Sequence, residues 1–296
     1  MANSIALAQK FQAVLDAVYK AESKTSILDA ANAEIDFIGA NVAKIFKLSS
    51  DGLGDYSRST GYPIGSVTGA WETLTLSKDR GVELLVDRMD NEETLGLAFG
   101  RLAGEFMRTA VIPELDAYRM AKYATTAGNS ANADISVGST DVASLIDTGF
   151  QTMQDAEVPD EGSIIFISPK AYNGLKSKIT RILANENEVN KTIELYDGHR
   201  VIVVPQGRMN TAITLNDGSG SFGFAPTSGG YKINFLIVHP TAVKNAVKWE
   251  QLKVFSPDEV RGVDAWVLDT RVYHDAFVLD NKVNGIYLHR AATANA

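Results

Sequence analysis

The sequence contains no cysteine, which excludes disulfide bonds, thiol catalysis and metal sites built from thiolates. Histidine is scarce as well, with four in 296 residues, and none lies at the close spacing of a local metal motif. Basic residues are not in excess: 28 Lys and Arg against 36 Asp and Glu give a net charge of −8 at pH 7. This balance disfavours a dedicated nucleic-acid-binding protein, which usually carries a basic face.

Long apolar runs are also lacking. No stretch approaches the ~18 apolar residues typical of a membrane span. The N-terminus lacks the basic segment and apolar core of a secretory signal. We therefore expect a protein made in a cytoplasm, with no membrane partner. A composition of 45% hydrophobic and 22% charged residues is that of a folded globular chain.

Motifs that carry catalysis are missing too. Gly218–Gly223 matches the dinucleotide pattern G-x-G-x-x-G, but Phe224-Ala225-Pro226 follows it, so no helix can begin where a phosphate would need one. No Gly-Lys precedes Ser or Thr, and no G-x-S-x-G motif is present. We interpret the remaining polar candidates as structural or solvated groups: His199, His239, His274, His289, Asp269, Asp275 and Asp280. The sequence predicts no cofactor, no metal and no enzymatic activity.

The first fifty residues have the apolar spacing of two amphipathic helices, over roughly 4–22 and 26–46. Helices this short are marginal alone in water, so each must dock on its own domain or on a neighbour. Residues 48–64 are rich in Ser, Gly, Asp and Tyr, which predicts a loop.

A hairpin is predicted next. Trp71–Leu76 and Val82–Val86 alternate in polarity on either side of a short polar stretch, residues 77–81, which ends in glycine. Two strands alone are marginally stable, so the hairpin needs a surface within its own subunit or outside it. We expect its alternating faces and its tip to contact another subunit through Leu74, Leu76, Lys78, Asp79, Arg80, Val82 and Leu84.

The strongest helical signal covers residues 90–124. Asp90 is a plausible N-cap with Glu93 three residues later, and apolar residues recur at helical spacing from Leu95 onwards. Pro113 lacks an N–H donor and clashes with the preceding turn. We therefore expect a bend or break near Ile112.

The rest of the chain alternates helix and strand and then becomes rich in strands. The pattern predicts a helix from about 142 to 153, a buried strand at 163–168 and a helix that begins at Ser168-Pro169. Asp197-Gly198 predicts a hairpin turn. The fold class is therefore α+β with a central α/β insertion.

This order of elements resembles the major capsid proteins of tailed bacteriophages with the Hong Kong 97 fold. The stretches that carry the resemblance are DRMDNEETLGLAFGRLAGEFMRTAVIPELDAYRMAKYA, VIVVP, HPTAVKNAVKWEQLKVFSPD and VYHDAFVLDNKVNGIYLHRAA. It implies an N-terminal arm (1–48), an extended hairpin loop (49–88), a peripheral domain with a long spine helix (89–127), an axial α/β domain (128–240) and peripheral C-terminal strands (241–296).

The resemblance also implies a function. Such a protein is the head protein of a phage or prophage, and it assembles in the bacterial cytoplasm through pentamers and hexamers into an icosahedral shell. The shell, part of the virion, encloses double-stranded DNA without reading its sequence. Portal and scaffolding proteins are expected partners, and a decoration protein is a further one. Two alternatives stay open: an encapsulin-type compartment that holds enzyme cargo, and a soluble enzyme whose site is not visible in the sequence.

Some members of this family cross-link neighbouring subunits through an isopeptide bond between Lys and Asn. By residue type and rough location, the candidates here are Lys78 with Asn281 or Asn284.

Overall fold

The computed structural model describes residues 23–29, 42–93, 102, 104–178 and 192–295. The strands are β1 Val42–Ser50, β2 Val67–Thr75, β3 Lys78–Asp87, β4 Asn129–Asn132, β5 Ile164–Ile167, β6 Leu195–Tyr196, β7 His199–Val203, β8 Ile213–Leu215, β9 Phe224–Pro226, β10 Tyr231–Val238, β11 Val243–Phe255, β12 Ala265–Val278 and β13 Ile286–Ala294. The α-helices are α1 Arg88–Glu93, α2 Ile112–Thr126, α3 Val142–Asp155 and α4 Pro169–Lys178. None of the described helices is long and apolar enough to cross a membrane.

The main core is a six-stranded sheet in the order β4-β13-β10-β5-β7-β6, covered by helices on both faces. In β5, Ile164 and Phe166 point towards the side of α2, whereas Ile165 and Ile167 point towards α3 and α4. All four are buried, which is why this strand is a continuous apolar run and not an alternating one. The predicted strand and the predicted helix start at Ser168-Pro169 are confirmed.

The predicted turn at Asp197-Gly198 is also confirmed, and it joins β6 to β7. Both residues have positive φ, 49° and 81°, as a type I′ hairpin turn requires.

A second sheet contains the three antiparallel strands β11-β12-β3. Its inner face packs on the segment before α2, where Met107 and Leu268 form the centre of a small apolar cluster. The C-terminal part of the chain is divided between the two sheets. Residues 243–278 build the second sheet, but Ile286–Ala294 lies between β4 and β10 in the first. A boundary at residue 240 therefore does not separate the two sheets.

Two expectations for the N-terminal third are wrong. Val42–Ser50 is a strand, not the end of a helix over 26–46, and Ser26–Leu28 is a single 3-10 turn. The two predicted hairpin strands exist, but they do not pair with each other: β2 pairs with β1, and β3 pairs with β12. The hairpin of this fold is thus β1–β2, with residues 51–66 as its loop. The helix predicted over 4–22 lies outside the described residues.

Just before Pro113, where a bend or break was predicted, the regular α-helical hydrogen bonding is interrupted. Met107–Val111 form a π-helical turn, in which the N–H of Ile112 donates to the carbonyl of Met107. Pro113 then occupies the first turn of α2, where its missing N–H costs little. Helix α2 ends at Thr126, close to the predicted end, while residues 94–101 and 103 of the predicted helix lie outside the described residues.

A buried polar network fastens residues 23–29 to α2. The Asp116 carboxylate, which is fully buried, accepts hydrogen bonds from the hydroxyls of Ser23 (2.8 Å) and Thr25 (2.7 Å) and from Arg208 (3.0 Å). Arg119 donates to the Thr25 hydroxyl at 2.9 Å. Because a buried carboxylate is tolerated only when it is paired and hydrogen-bonded, this network depends on the segment being docked.

Candidate functional site

Among the described residues, the most exposed apolar surface lies on the β1–β2 hairpin. The strands pair in regular antiparallel register from Val42 opposite Thr75 to Ser50 opposite Val67. From Leu48 to Trp71 nearly every residue is exposed, including the side chains of Leu53, Tyr62 and Ile64 in the loop. This part of the hairpin therefore projects from the subunit.

One face of the hairpin is apolar. Phe46, Leu48, Val67 and Trp71 share this face through the register and are between 52% and 67% exposed. Phe46 and Trp71 are directly opposite, and their rings meet edge to face with centroids 5.1 Å apart. We call these four side chains the apolar face. A contiguous exposed patch of this kind marks an interaction site on a soluble protein.

The other face of the hairpin is polar towards its free end and apolar at its base. At the base, Leu74 and the following Leu76 are buried against Ala246 and Phe277, with Ile45 packed beside them. The carbonyl of Leu76 also accepts a hydrogen bond from the Tyr273 hydroxyl at 3.0 Å. The base is thus fixed to the second sheet.

Four of the residues that we expected at a subunit contact have partners within their own subunit. Leu74 and Leu76 belong to the cluster at the hairpin base, and Leu84 packs on the segment before α2. Asp79 accepts a hydrogen bond from Arg271 at 2.9 Å on the neighbouring strand. Because β3 pairs inside the second sheet, its side chains are not on a projecting hairpin, and their contact with another subunit stays a prediction.

Two more of these residues, Arg80 and Val82, line a cavity of about 490 Å³ between β3, β12, the segment before α2 and residues 216–223. Arg80 is held there by Glu114, with Nε–Oε1 at 2.6 Å, and it donates to the carbonyls of Asn216 (2.6 Å) and Gly223 (3.4 Å). The G-x-G-x-x-G motif is thus a loop whose ends bind an arginine. No helix follows it, as expected, because Phe224–Pro226 is a strand.

The lysine of the predicted cross-link is not on the β1–β2 hairpin. Lys78 begins β3, and its Nζ lies 5.8 Å from the centroid of the Tyr118 ring. Asn281 and Asn284 lie in the 3-10 turn Asp280–Gly285 and are exposed. Placing Lys78 at a hairpin tip was therefore wrong.

The four histidines are structural. All are buried, and His289 stacks on Phe235 with ring centroids 4.8 Å apart, while its Nδ1 pairs with the Asn234 amide at 3.1 Å. His274 meets Tyr118 edge to face. No group of three or more His, Asp or Glu residues among the described residues could hold a metal ion.

Burial makes the histidines sensitive to acid. It lowers the pKa of His274 and of His289 from about 6.5 to about 4 because the charged imidazole loses its hydration. In the unfolded chain both bind a proton near pH 6.5, whereas in the folded protein they stay neutral down to about pH 4. Stability should therefore fall as the pH drops from 6.5 to 4.

We expect His289→Gln, which keeps an acceptor for Asn234 but does not titrate, to reduce this acid loss by about 1–2 kcal/mol. Thermal melting at pH 7 and at pH 4.5 measures the loss in both proteins. An equal loss in wild type and variant would show that His289 does not contribute to it.

The carboxylates expected to be solvated differ from one another. Asp275 is buried and accepts hydrogen bonds from the Tyr118 hydroxyl (2.6 Å) and the Ser77 hydroxyl (2.8 Å). Asp280 is exposed and binds Lys47 of β1. Asp269 is partly buried on β12, and its Oδ1 has no hydrogen-bond partner among the described residues. Asp275 therefore contradicts the expectation, since its role is to tie α2 and β12 together.

No protein-family model and no curated protein matches this chain. Solved structures do match it in fold. A structure from Mycobacterium phage Che8 superposes with a TM-score of 0.61 at 15% identity and covers 84% of both chains. The bacteriophage PhiM1 mature capsid matches with a TM-score of 0.60 at 12% identity and covers 86% of this chain and 83% of that one.

A virus-like particle from Pyrococcus furiosus also matches, with a TM-score of 0.54 at 13% identity. It covers 96% of this chain and 99% of the other, so the two chains correspond almost end to end. The resemblance predicted from the order of elements is confirmed by these structures. The chain has the mixed α+β fold of phage capsid proteins, the Hong Kong 97 fold.

Proposed function

We propose that this chain is the major capsid protein of a tailed bacteriophage or prophage. Subunits would assemble through pentamers and hexamers into an icosahedral shell that encloses double-stranded DNA. The role is structural and not enzymatic. The observation that carries the proposal is the apolar face of Phe46, Leu48, Val67 and Trp71, which projects from a subunit with a capsid fold.

The apolar face supports assembly because a projecting hairpin cannot bury it within its own subunit. Four large side chains left in water on a two-stranded element disfavour a lone subunit. In a shell, every subunit supplies one hairpin and receives another, so each apolar face is covered once. The exposed loop residues Leu53 and Ile64 would extend the same contact.

The division of the chain into domains belongs to this proposal. The six-stranded sheet with α3 and α4 would be the axial domain near the five- and six-fold axes. The three-stranded sheet and the helix that ends at Thr126 would be the peripheral domain, and the β1–β2 hairpin would be the extended loop. The arm predicted over residues 1–48 loses Val42–Leu48 to the extended loop, because Val42–Ser50 is the first strand of that loop.

The charge of the chain fits a DNA container. A protein of net charge −8 does not gain strong counterion-release binding to DNA, so a packaged genome stays mobile. A portal protein, a scaffolding protein and a decoration protein are the partners that such a shell would use. Assembly would take place in the bacterial cytoplasm, and the product would be part of the virion.

An encapsulin-type compartment with enzyme cargo is the second candidate. The observation that favours it is the nearly complete, end-to-end match to the virus-like particle from Pyrococcus furiosus. The contents of the particle separate the two candidates, since one shell would contain DNA and the other cargo protein.

The test is to express the chain, separate the product by sedimentation and image it by negative-stain electron microscopy. We expect closed particles in the megadalton range. Nuclease-protected DNA in particles from the native host would support the phage capsid, and co-purified cargo protein would support the compartment. A product that remains a small oligomer of uniform size at all protein concentrations would contradict both and favour a soluble enzyme.

A further inference from the structure

A cluster of three charged residues joins the hairpin to the body of the subunit. Lys47 of β1 binds Glu72 of β2, with Nζ–Oε2 at 3.2 Å, and it also binds Asp280. The backbone N–H of Asp280 points to the second oxygen of Glu72, Oε1, at 3.4 Å. The cluster therefore links both strands of the hairpin to one position on the body.

The position of Asp280 makes it a suitable anchor. It opens the 3-10 turn Asp280–Gly285, which connects the two sheets. Backbone hydrogen bonds hold this turn on both sides, from Gly128 to the carbonyl of Val283 (2.9 Å) and from His239 to that of Gly285 (2.8 Å). A side chain on this turn is thus fixed relative to both sheets.

The cluster is also the outermost contact between the hairpin and the body. Ile45 and Leu74 pack on the second sheet at the base, and Lys47 and Glu72 follow on the same face. Beyond Lys47, the residues from Leu48 to Ala70 are almost all exposed. The apolar face lies on the opposite side of the hairpin. A partner bound to the apolar face would therefore leave the contacts of the charged cluster intact.

The charges are arranged to attract. The side chain of Glu72 is only 10% exposed, while that of Asp280 is 68% exposed. The Lys47 ammonium donates a hydrogen bond to Asp280. This bond is the main cause that raises the pKa of Lys47, so the lysine stays charged. One lysine between two carboxylates forms a small network, and networks hold a geometry better than isolated surface pairs.

We propose that Asp280 and Glu72, acting through Lys47, are positioning residues that set the direction in which the hairpin leaves the subunit. The base fixes one end of the hairpin but leaves the projecting strands free to tilt about it, because the apolar contacts there have no preferred direction. The charged cluster removes that freedom by adding a second fixed point further along the hairpin. The use of this direction for assembly rests on the proposed function, whereas the positioning does not.

Distance measurements between spin labels test the proposal. Because the chain has no cysteine, Ser59→Cys in the hairpin loop and Asn173→Cys on α4 give two unique labelling sites. The measurement uses unassembled subunits isolated by size exclusion, so that no neighbour holds the hairpin. We expect one narrow distance distribution in the otherwise unchanged chain. Asp280→Asn or Lys47→Met should broaden it and raise the population of other orientations about two- to fivefold.

Three comparisons separate positioning from a general loss of structure. Asp280→Glu keeps the charge and should restore the narrow distribution. Asp79→Asn breaks a comparably exposed ion pair, with Arg271, and should leave the distribution unchanged. Raising the NaCl concentration to ~1 M should broaden the distribution of the unchanged chain, since salt screens exposed charges.

An unchanged distribution in Asp280→Asn, or equal broadening in Asp79→Asn, would overturn the proposal. Failure of the wild-type chain to form shells would leave these distances unaffected, so that result would count against the proposed function alone.

Discussion

Replacing Leu48 by Asp together with Trp71 by Ser is expected to abolish particles while the subunit remains folded. Both side chains lie on the apolar face and are 62% and 63% exposed, so the isolated subunit loses little packing. Each would contribute about 1.5–3 kcal/mol when buried by a neighbour. A carboxylate in that contact adds the cost of removing a charge from water. Since the contact repeats at every subunit, the losses add over the whole shell.

The matched control carries the same two kinds of residue on the other face of the hairpin. Ser49→Asp with Ala70→Ser also adds one carboxylate and one hydroxyl group to β1 and β2. Circular dichroism should show native melting for both double variants, and electron microscopy should show particles for the control only. Normal particles from Leu48→Asp with Trp71→Ser would mean that the apolar face contacts nothing. Loss of particles from both variants would mean that any added charge on the hairpin is harmful.

Leu76→Asp is expected to unfold the subunit itself. Leu76 is only 2% exposed and packs with Leu74, Ala246 and Phe277 at the hairpin base. Truncation of a buried leucine costs about 2–5 kcal/mol, and an unpaired buried carboxylate adds to that. The sum is comparable with the whole stability of a typical domain.

Thr75→Asp is the control, because Thr75 is exposed and directly precedes Leu76 at the end of β2. Its effect should stay within about 0.5 kcal/mol. Denaturant unfolding followed by circular dichroism measures both free energies. A Leu76→Asp protein with the wild-type free energy of unfolding that forms no particles would contradict this prediction. It would instead support a contact between Leu76 and another subunit.

The central α/β part of the fold could be predicted because its signals are local. The apolar run of β5, the Ser168-Pro169 helix start and the Asp197-Gly198 turn each depend on a few neighbouring residues. The pairing of strands could not be predicted in this way. Alternating polarity indicates a strand, but it does not indicate which other strand pairs with it. The partner of β3 is β12, almost two hundred residues later, and no feature between residues 71 and 86 indicates it.

The candidate site shows the same limit. A projecting hairpin was correctly predicted from the sequence. The prediction paired β2 with β3, however, whereas the structure pairs β2 with β1. The reason is visible in β1. Its apolar residues Val42, Ile45, Phe46 and Leu48 fit helical spacing as well as a strand, so they continued the helical pattern of the residues before them. The aromatic and aliphatic residues between 46 and 71 mark the true hairpin only through their exposure, which is a property of the structure and not of the sequence.

The location of β13 has a consequence for the order of events during synthesis. Ile286–Ala294 occupies an interior position of the six-stranded sheet, between a strand that begins at residue 129 and one that begins at residue 231. Until Ile286–Ala294 has been synthesised, β4 and β10 have no common neighbour and their edges stay open. A nascent chain therefore cannot complete its fold, and pairing over such sequence distances is slow. The edge of β4, which begins at residue 129, thus stays unpaired until the strand that begins at residue 286 is present.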